Sequence, residues 1–339
     1  MRLYAAIDLH SNNGVLVIID ESDKVVYERR LPNDLGRVLS ALAPYRGQVE
    51  AIAVESTFNW YWLVDGLMEA GYAVRLVNTV AVKVYEGRKF TGDEHDARHL
   101  AHLLRLGILP TGYIYPKEER SVRDLLRKRA QLVRCRTLQL LSMESWVNRH
   151  TGGGISVPKL RALSDEAIQA MAGGNRQGLL SMQSNRAVLQ CLDEQIQRLE
   201  QAVLREARVK PAFEQLLTVD GIGRILGMTI LYEAGPIKRF GRVGQFASYA
   251  RCVDSRRLSN GKKKGEGNRK NGNKYLGWAF VEAAHHAVWC NERIRRFYQR
   301  KKAKTNGAVA TKAVAHKLAR ACYHVLKKQV PFEAERAFS

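Results

Sequence analysis

TGDEHDARHLAHLLRLG, residues 91–107, is the stretch on which the reading of this chain turns. Asp93 and Asp96 stand three apart at the head of an apolar run, Leu100, Leu103 and Leu104, whose period predicts a helix. Positions three apart share a helix face, so both carboxylates point the same way as the leucines that dock on a core. A carboxylate there is costly unless it keeps water, a cation or a metal. Two more acids have the same placement: Asp8 ends LYAAID and Glu55 ends AIAVE, and both runs read as buried strands. Four such carboxylates form a candidate site for hard divalent cations. Mg²⁺ takes oxygen ligands and keeps several waters. Two such ions about 3.5–4 Å apart stabilise both the attacking and the leaving oxygen of a phosphodiester exchange. Each acid alone has a plainer reading, as a strand-end acid or, for Asp93, a helix N-cap.

Outward from that stretch, residues 1–115 read as an α/β domain. LYAAIDL, GVLVIID and KVVYERRL are strand-like, with a turn at 21–23 between the second and third. DLGRVLSALAPY is helical, EAIAVE a fourth strand, TFNWYWLVDGLMEAG a helix ended by Gly71, and YAVRLV a fifth strand before the 93–106 helix. The order βββαβαβα, with acids ending strands one and four and opening a late helix, resembles the RuvC/RNase H-like nuclease fold. His95, His99 and His102 are expected to form a solvent- or backbone-facing stripe rather than a zinc site. Phe58, Trp60, Tyr61 and Trp62 are expected in the core or an interface rather than on a base-stacking platform.

Charge separates this segment from the rest. Among 339 residues with a net charge of +22, residues 1–115 carry 12 basic and 14 acidic side chains, and the remainder 43 basic and 19 acidic. Excess positive charge on this scale fits a body that grips polyanions. The five cysteines are scattered without a CxxC pair, which excludes a zinc ribbon and a disulfide frame. No run approaches the roughly 18 apolar residues of a membrane helix. Asp8 comes too early for a secretory leader, so the expectation is a cytoplasmic protein with no membrane partner.

Residues 116–210 read as a helical coiled-coil arm. One long arginine-rich helix runs to a break at Thr151–Gly154, and a second carries Val188, Leu192, Ile196, Leu199 and Val203 near heptad spacing. Residues 211–339 read as a mostly helical domain. LLTVDGIGRILGMTILYEAG has the form of a helix-hairpin-helix, in which Gly221 and Gly223 let backbone N–H groups meet a phosphate. A basic run follows: Arg256, Arg257, Lys262, Lys263, Lys264, Arg269, Lys270 and Lys274, with one acid, Glu266. Its glycines and asparagines predict a flexible segment. Ser259 lies within it, either as a linker serine or as a nucleophile held among phosphate-binding cations.

Together AIDLH, VEST, GDEHDARHLAHLLR, the DGIG hairpin, QFASYA, SNGKKKG, RKNGNKYL and VLKKQVPFE resemble the DEDD transposases of the IS-one-ten insertion-sequence family, which are bridge-RNA-guided recombinases. The resemblance spans nearly the whole chain. It implies that Asp8, Glu55, Asp93 and Asp96 bind Mg²⁺ and that Ser259 is the catalytic serine. The family's Gly-Leu-x-Pro before the arginine pair is Arg251-Cys252-Val253-Asp254-Ser255 here, and Asn260 separates the serine from Gly261, which leaves Ser255 as a rival. The resemblance also implies a structured guide RNA pairing with donor and target DNA, and homodimers that join into a homotetramer. Two other functions compete. One is a RuvC-like Mg²⁺-dependent junction endonuclease that activates water. The other is a non-catalytic nucleic-acid-binding protein on a degenerate nuclease fold.

Overall fold

The computed structural model describes residues 1–85, 92–207, 211–254, 257–265 and 271–338. They fall into two compact units, Met1–Lys117 and Glu118–Ser339.

In the first unit, β1 (Leu3–Leu9), β2 (Asn13–Ile19) and β3 (Val25–Pro32) form an antiparallel meander. Asp20 closes the turn before β3: its Oδ1 accepts the N–H groups of Ser22 and Lys24 at 2.8 and 3.0 Å. After α1 (Leu35–Leu42), β4 (Val49–Glu55) returns parallel to β1. After α2 (Tyr61–Glu69), β5 (Val74–Val77) lies parallel to β4, so the sheet order is β3-β2-β1-β4-β5. Gly71, at φ +85°, ends α2 and lets the Tyr72 and Gly71 N–H groups reach the carbonyls of Leu67 and Met68, a closure that favours glycine. The one-turn α3 (Thr79–Val82) and then α4 (Asp93–Arg105) complete the unit. Apart from α3, this is the order expected from the sequence.

Alternation along the strands sends side chains to two faces. Leu3, Ile7, Ile52 and Val54 pack with Val38 and Leu42 of α1 and Leu63 and Leu67 of α2. Ala6, Val15, Val17 and Ala53 pack with Ala97, Leu100, Ala101 and Leu103 of α4. Small alanines at the sheet centre let α4 lie close. The sheet is therefore buried on both sides, as its near-continuous apolar strands require.

Among its described residues, the regular structure of the second unit is helical apart from one small hairpin. α5 (Lys117–Thr151) and α8 (Arg176–Ala207) run antiparallel: Arg129 pairs with Glu200, Arg136 with Asp193, and Asn185 donates to Ser142. α8 starts earlier than its heptad-like stretch implied. Between them, α6 (Val157–Arg161) and α7 (Asp165–Ala172) cap the far end, where Leu160 and Ile168 pack with Met143, Trp146 and Met182. α9 (Pro211–Leu217) and α10 (Arg224–Ala234) follow, then α11 (Val243–Tyr249), the strands β6 (Arg257–Ser259) and β7 (Lys262–Gly265), α12 (Lys274–Cys290), α13 (Glu292–Lys304), α14 (Gly307–Lys328) and α15 (Ala334–Ala337). Alanines of α12 and α14, with Phe246, Phe280 and Leu318, make its largest core.

Candidate metal centre and nucleophile

β1 and β4 pair in parallel with Ala6 opposite Ala53 and Ile7 opposite Val54. One residue further, Asp8 lies beside Glu55. Alternation turns both toward the face of Ala6 and Ala53, which is the face α4 covers. α4 begins above these strand ends. Its N-cap is Gly92, so Asp93 is the first helical residue and not a cap, and Asp93, Glu94 and Asp96 all lie in the first turn. The positive end of the helix dipole favours carboxylates there. All four acids thus share one face of the sheet, in two groups.

The first group is Asp8, Asp93 and His10, whose ligand atoms lie within 4.8 Å of one another. Asp8 is 3% exposed. His10 Nε2 sits 3.5 Å from the Asp8 carboxylate and 3.2 Å from that of Asp93, yet makes no well-aligned hydrogen bond. A buried ring nitrogen without a hydrogen bond, facing two carboxylates, fits a divalent cation. The His10 backbone is fixed from outside, since its carbonyl accepts from the side-chain amides of Asn33 and Asn59 at 3.1 and 2.9 Å. Arg30 of β3 bridges Asp93 Oδ2 (2.7 Å) and Asn13 Oδ1 (2.8 Å). That hydrogen bond from Arg30, helped by His10, holds the Asp93 carboxyl below its ordinary value.

The second group is Glu55 and Asp96. With His99 and Lys83 they line a cavity of about 130 Å³ beside the first group. Among the described residues, no set of three close metal-ligating side chains includes Glu55 or Asp96. Of the expected histidine stripe, His95 is exposed and His102 pairs with Asp23 at 2.9 Å, but His99 faces the acids. Among the aromatics, Trp60 is buried and Phe58 is 84% exposed. His10 and Arg30 were missed from sequence, and His99 was read there as part of a solvent- or backbone-facing stripe. Of the two missed, only His10 left a signal, two positions past Asp8 in the AIDLH motif.

Ser259 belongs to the second unit. Asn260 (φ +50°) and Gly261 (φ +71°) turn the chain so that Ser259 pairs with Lys262. This is the Asn-Gly two-residue turn that matches strand twist, and it makes an ordered hairpin of part of the run expected to be flexible. Ser259 is exposed at the tip, with exposed Lys262 and Lys264 on the returning strand. Lys274 opens α12, capped by Asn273, whose Oδ1 accepts from Tyr275 and Leu276. Arg257 and Lys263 lie on β6 and β7. Arg256, Arg269, Lys270, Glu266 and the rival Ser255 lie outside the described residues.

Gly221 and Gly223 form the turn between α9 and α10. Gly221 takes φ +83°, and a Cβ there would come within 2.2 Å of the Ala283 carbonyl of α12. It is therefore required by packing as well as by the turn. Gly223 has open space around it and precedes the first residue of α10.

Residues 5–150 match a DEDD transposase family of IS110 type, and residues 213–299 match the family described as "Transposase IS116/IS110/IS902 family". The first span takes in all four acids and the second takes in Ser259. A "Probable family 20 transposase" of Pseudomonas aeruginosa is 24% identical over 290 residues, covering 82% of this chain and 84% of that one. The "Transposase for insertion sequence element IS1111A" of Coxiella burnetii is 23% identical over 286 residues, covering 82% of this chain and 76% of the other. The DEDD family and the cluster at Asp8, His10 and Asp93 together point to dependence on a divalent metal. No helix among the described residues is long and apolar enough to cross a membrane.

Proposed function

We propose that this DNA transposase is of the IS110, DEDD type, as its two family matches support, and that it exchanges strands between donor and target DNA through a covalent phosphoserine at Ser259, directed by a structured guide RNA. The observation that carries this reading is the gathering of Asp8, Glu55, Asp93 and Asp96 on one sheet face beneath the start of α4. Asp8, Glu55, Asp93 and Asp96, with His10 beside them, would hold Mg²⁺, which when bound would supply charge neutralisation to the phosphodiester exchange.

The chain's own groups do the rest. Ser259 Oγ attacks the phosphorus, the Oγ–P bond forms, the P–O3′ bond breaks, and the serine proton is passed on as the 3′ oxygen leaves as a hydroxyl. The phosphoserine keeps the phosphodiester's bond energy for rejoining, so no external energy source is needed. A hydroxyl is a weak nucleophile at its free pKa and must be activated, for which Lys262 and Lys264 supply local positive charge. Guide pairing delegates sequence choice to RNA and leaves the protein mainly phosphate contacts, which suits the net charge of +22. The basic run 256–274, Gly221 and Gly223 provide such contacts. Ser259 and the acids belong to different units, and a homodimer joining into a homotetramer offers the serine acids on its own or a neighbouring chain.

The test is cleavage of donor and target DNA with the RNA that co-purifies. Wild-type protein should give covalent protein–DNA adducts and Ser259→Ala none. Adducts that persist in Ser259→Ala move the nucleophile, with Ser255 next in line. Cleavage by wild type without any adduct means that water attacks, as in a junction endonuclease. Asp93→Ala and Asp96→Ala should each lower Mg²⁺-dependent cleavage by at least about a hundredfold, the scale of one missing electrostatic group.

A further inference from the structure

α14 and the segment after it enclose a cleft of about 530 Å³. That is within the range of small-ligand sites, about 300–1,000 Å³, and far too small for a duplex. α14 faces it with His316, Arg320, His324 and Lys328, one every four residues. Arg320 and Lys328 stand eight residues apart, about 12 Å along the helix axis, more than one phosphate-to-phosphate step along a strand, with His324 between them. Glu333 is the one carboxylate in the lining, and it sits 3.5 Å from Arg336. Among the described residues no carboxylate pairs with Arg320 or Lys328. Burial, then Arg320 and Lys317, lower the pKa of His316, while burial, then Lys328 and Arg320, lower that of His324. The cleft therefore gathers cations that repel one another, a field that attracts an anion.

Its opposite wall carries Val330, Pro331 and Phe332 beside the Glu333–Arg336 pair, and it is held in place. Gln329, at φ +55°, turns the chain back at the end of α14. The Phe332 N–H donates to Thr218 Oγ1 at 2.9 Å, and Lys317 Nζ donates to the Ala337 carbonyl at 2.8 Å. Pro331 and Phe332 thus face the cationic helix across the cleft. We propose that this cleft binds a short unpaired segment of a nucleic-acid strand, with phosphates on Arg320 and Lys328 and a base against Phe332. The inference takes from the assigned activity only that the protein handles nucleic acid, and it is independent of Ser259 and of the acids.

The test is anisotropy of labelled single-stranded DNA, single-stranded RNA and a DNA duplex with the full chain in metal-free buffer, so that no cutting intervenes. The double variant Arg320→Gln/Lys328→Gln should bind single strands about tenfold more weakly. Its plot of log K against log salt should be shallower by about 1.4, at about 0.7 for each phosphate no longer neutralised. Phe332→Ala should weaken single-strand binding roughly fivefold or more, the scale of one base–aromatic stack, with the salt slope unchanged. The strand type whose binding falls further identifies the source as RNA or DNA. Lys301→Gln/Lys302→Gln on α13 removes the same charge elsewhere and should do little. Single-strand binding unchanged in the first double variant, an equal drop in the α13 control, or a drop confined to duplex would each overturn the proposal.

Discussion

His10 stands two positions past Asp8, beyond the last residue of β1, and its ring nitrogen meets both Asp8 and Asp93. A neutral imidazole is a good ligand for divalent metals, so this residue adds a nitrogen donor to a set otherwise made of oxygens. Its backbone is pinned by Asn33 and Asn59, so the ring is placed before any ion arrives. His10→Ala should therefore weaken divalent-cation binding about 10–100-fold, the usual cost of removing a supporting group at a metal site, with little change in thermal midpoint. Titration of the RNA-free protein with Mn²⁺ in a calorimeter measures this, and an unaltered affinity would place His10 outside the centre.

The element that carries most of the site is α4, and it is fastened to the β-meander by ion pairs along its length. Arg30 meets Asp93, Arg98 meets Glu28, and Arg105 with His102 meets Asp23. Partners descend β3 and its preceding turn as they ascend the helix, so α4 runs antiparallel to β3. The three carboxyls all lie below their ordinary values of 3.8, 4.5 and 3.8. Hydrogen bonds from Arg30 and Arg98 lower those of Asp93 and Glu28, and at Asp23 burial pushes up but Arg105 and His102 outweigh it. A carboxyl lowered in the folded state stabilises above its unfolded pKa and loses that contribution as pH falls through the folded one. The urea midpoint should therefore be level above about pH 5 and fall below it. Exposed pairs contribute about 0.2–1 kcal/mol each. The triple variant Arg30→Met/Arg98→Met/Arg105→Met should thus lose about 1–3 kcal/mol at pH 7 and show a flatter acid limb. An acid limb as steep as wild type would show that these pairs do not set it.

Across the second unit, a buried ion pair joins the apolar cluster of Val122, Leu126, Val203, Phe213, Met228 and Tyr232 in tying the long helical pair to the C-terminal core. Glu233 of α10 has no exposed surface, and its carboxylate accepts from Arg127 of α5 at 2.6 and 2.8 Å and from Asn273 at 2.7 Å. The Arg127 guanidinium also lies 4.7 Å from the Tyr275 ring centre. Asn273 caps α12 near the end of the basic run that bears Ser259, so the joint also anchors the end of that run. Removing one partner of a buried pair strands the other charge, at about 3–5 kcal/mol. Arg127→Met should cost that much in urea unfolding, and adding Glu233→Gln should recover part of it. A loss below about 1 kcal/mol would place the joint among ordinary surface pairs.

The order of strands and helices in the first unit was legible because period and alternation are local properties. LYAAIDL and AIAVE declare buried strands within a few residues, and DEHDARHLAHLL declares one helical face. The four acids were legible for the same reason, since each interrupts such a pattern at the end of an element. The Asn-Gly turn after Ser259 was written in the chain too, but its meaning was masked by the surrounding glycines and lysines. The tertiary structure alone decided which of these side chains meet. Arg30 reaches Asp93 across 63 positions, His10 comes between two acids from different elements, and Asp96 shares a cavity with Glu55 and His99. Strand register and the docking of α4 set those meetings, and both depend on cores assembled from distant segments. A pattern that repeats every two or four residues carries no record of them.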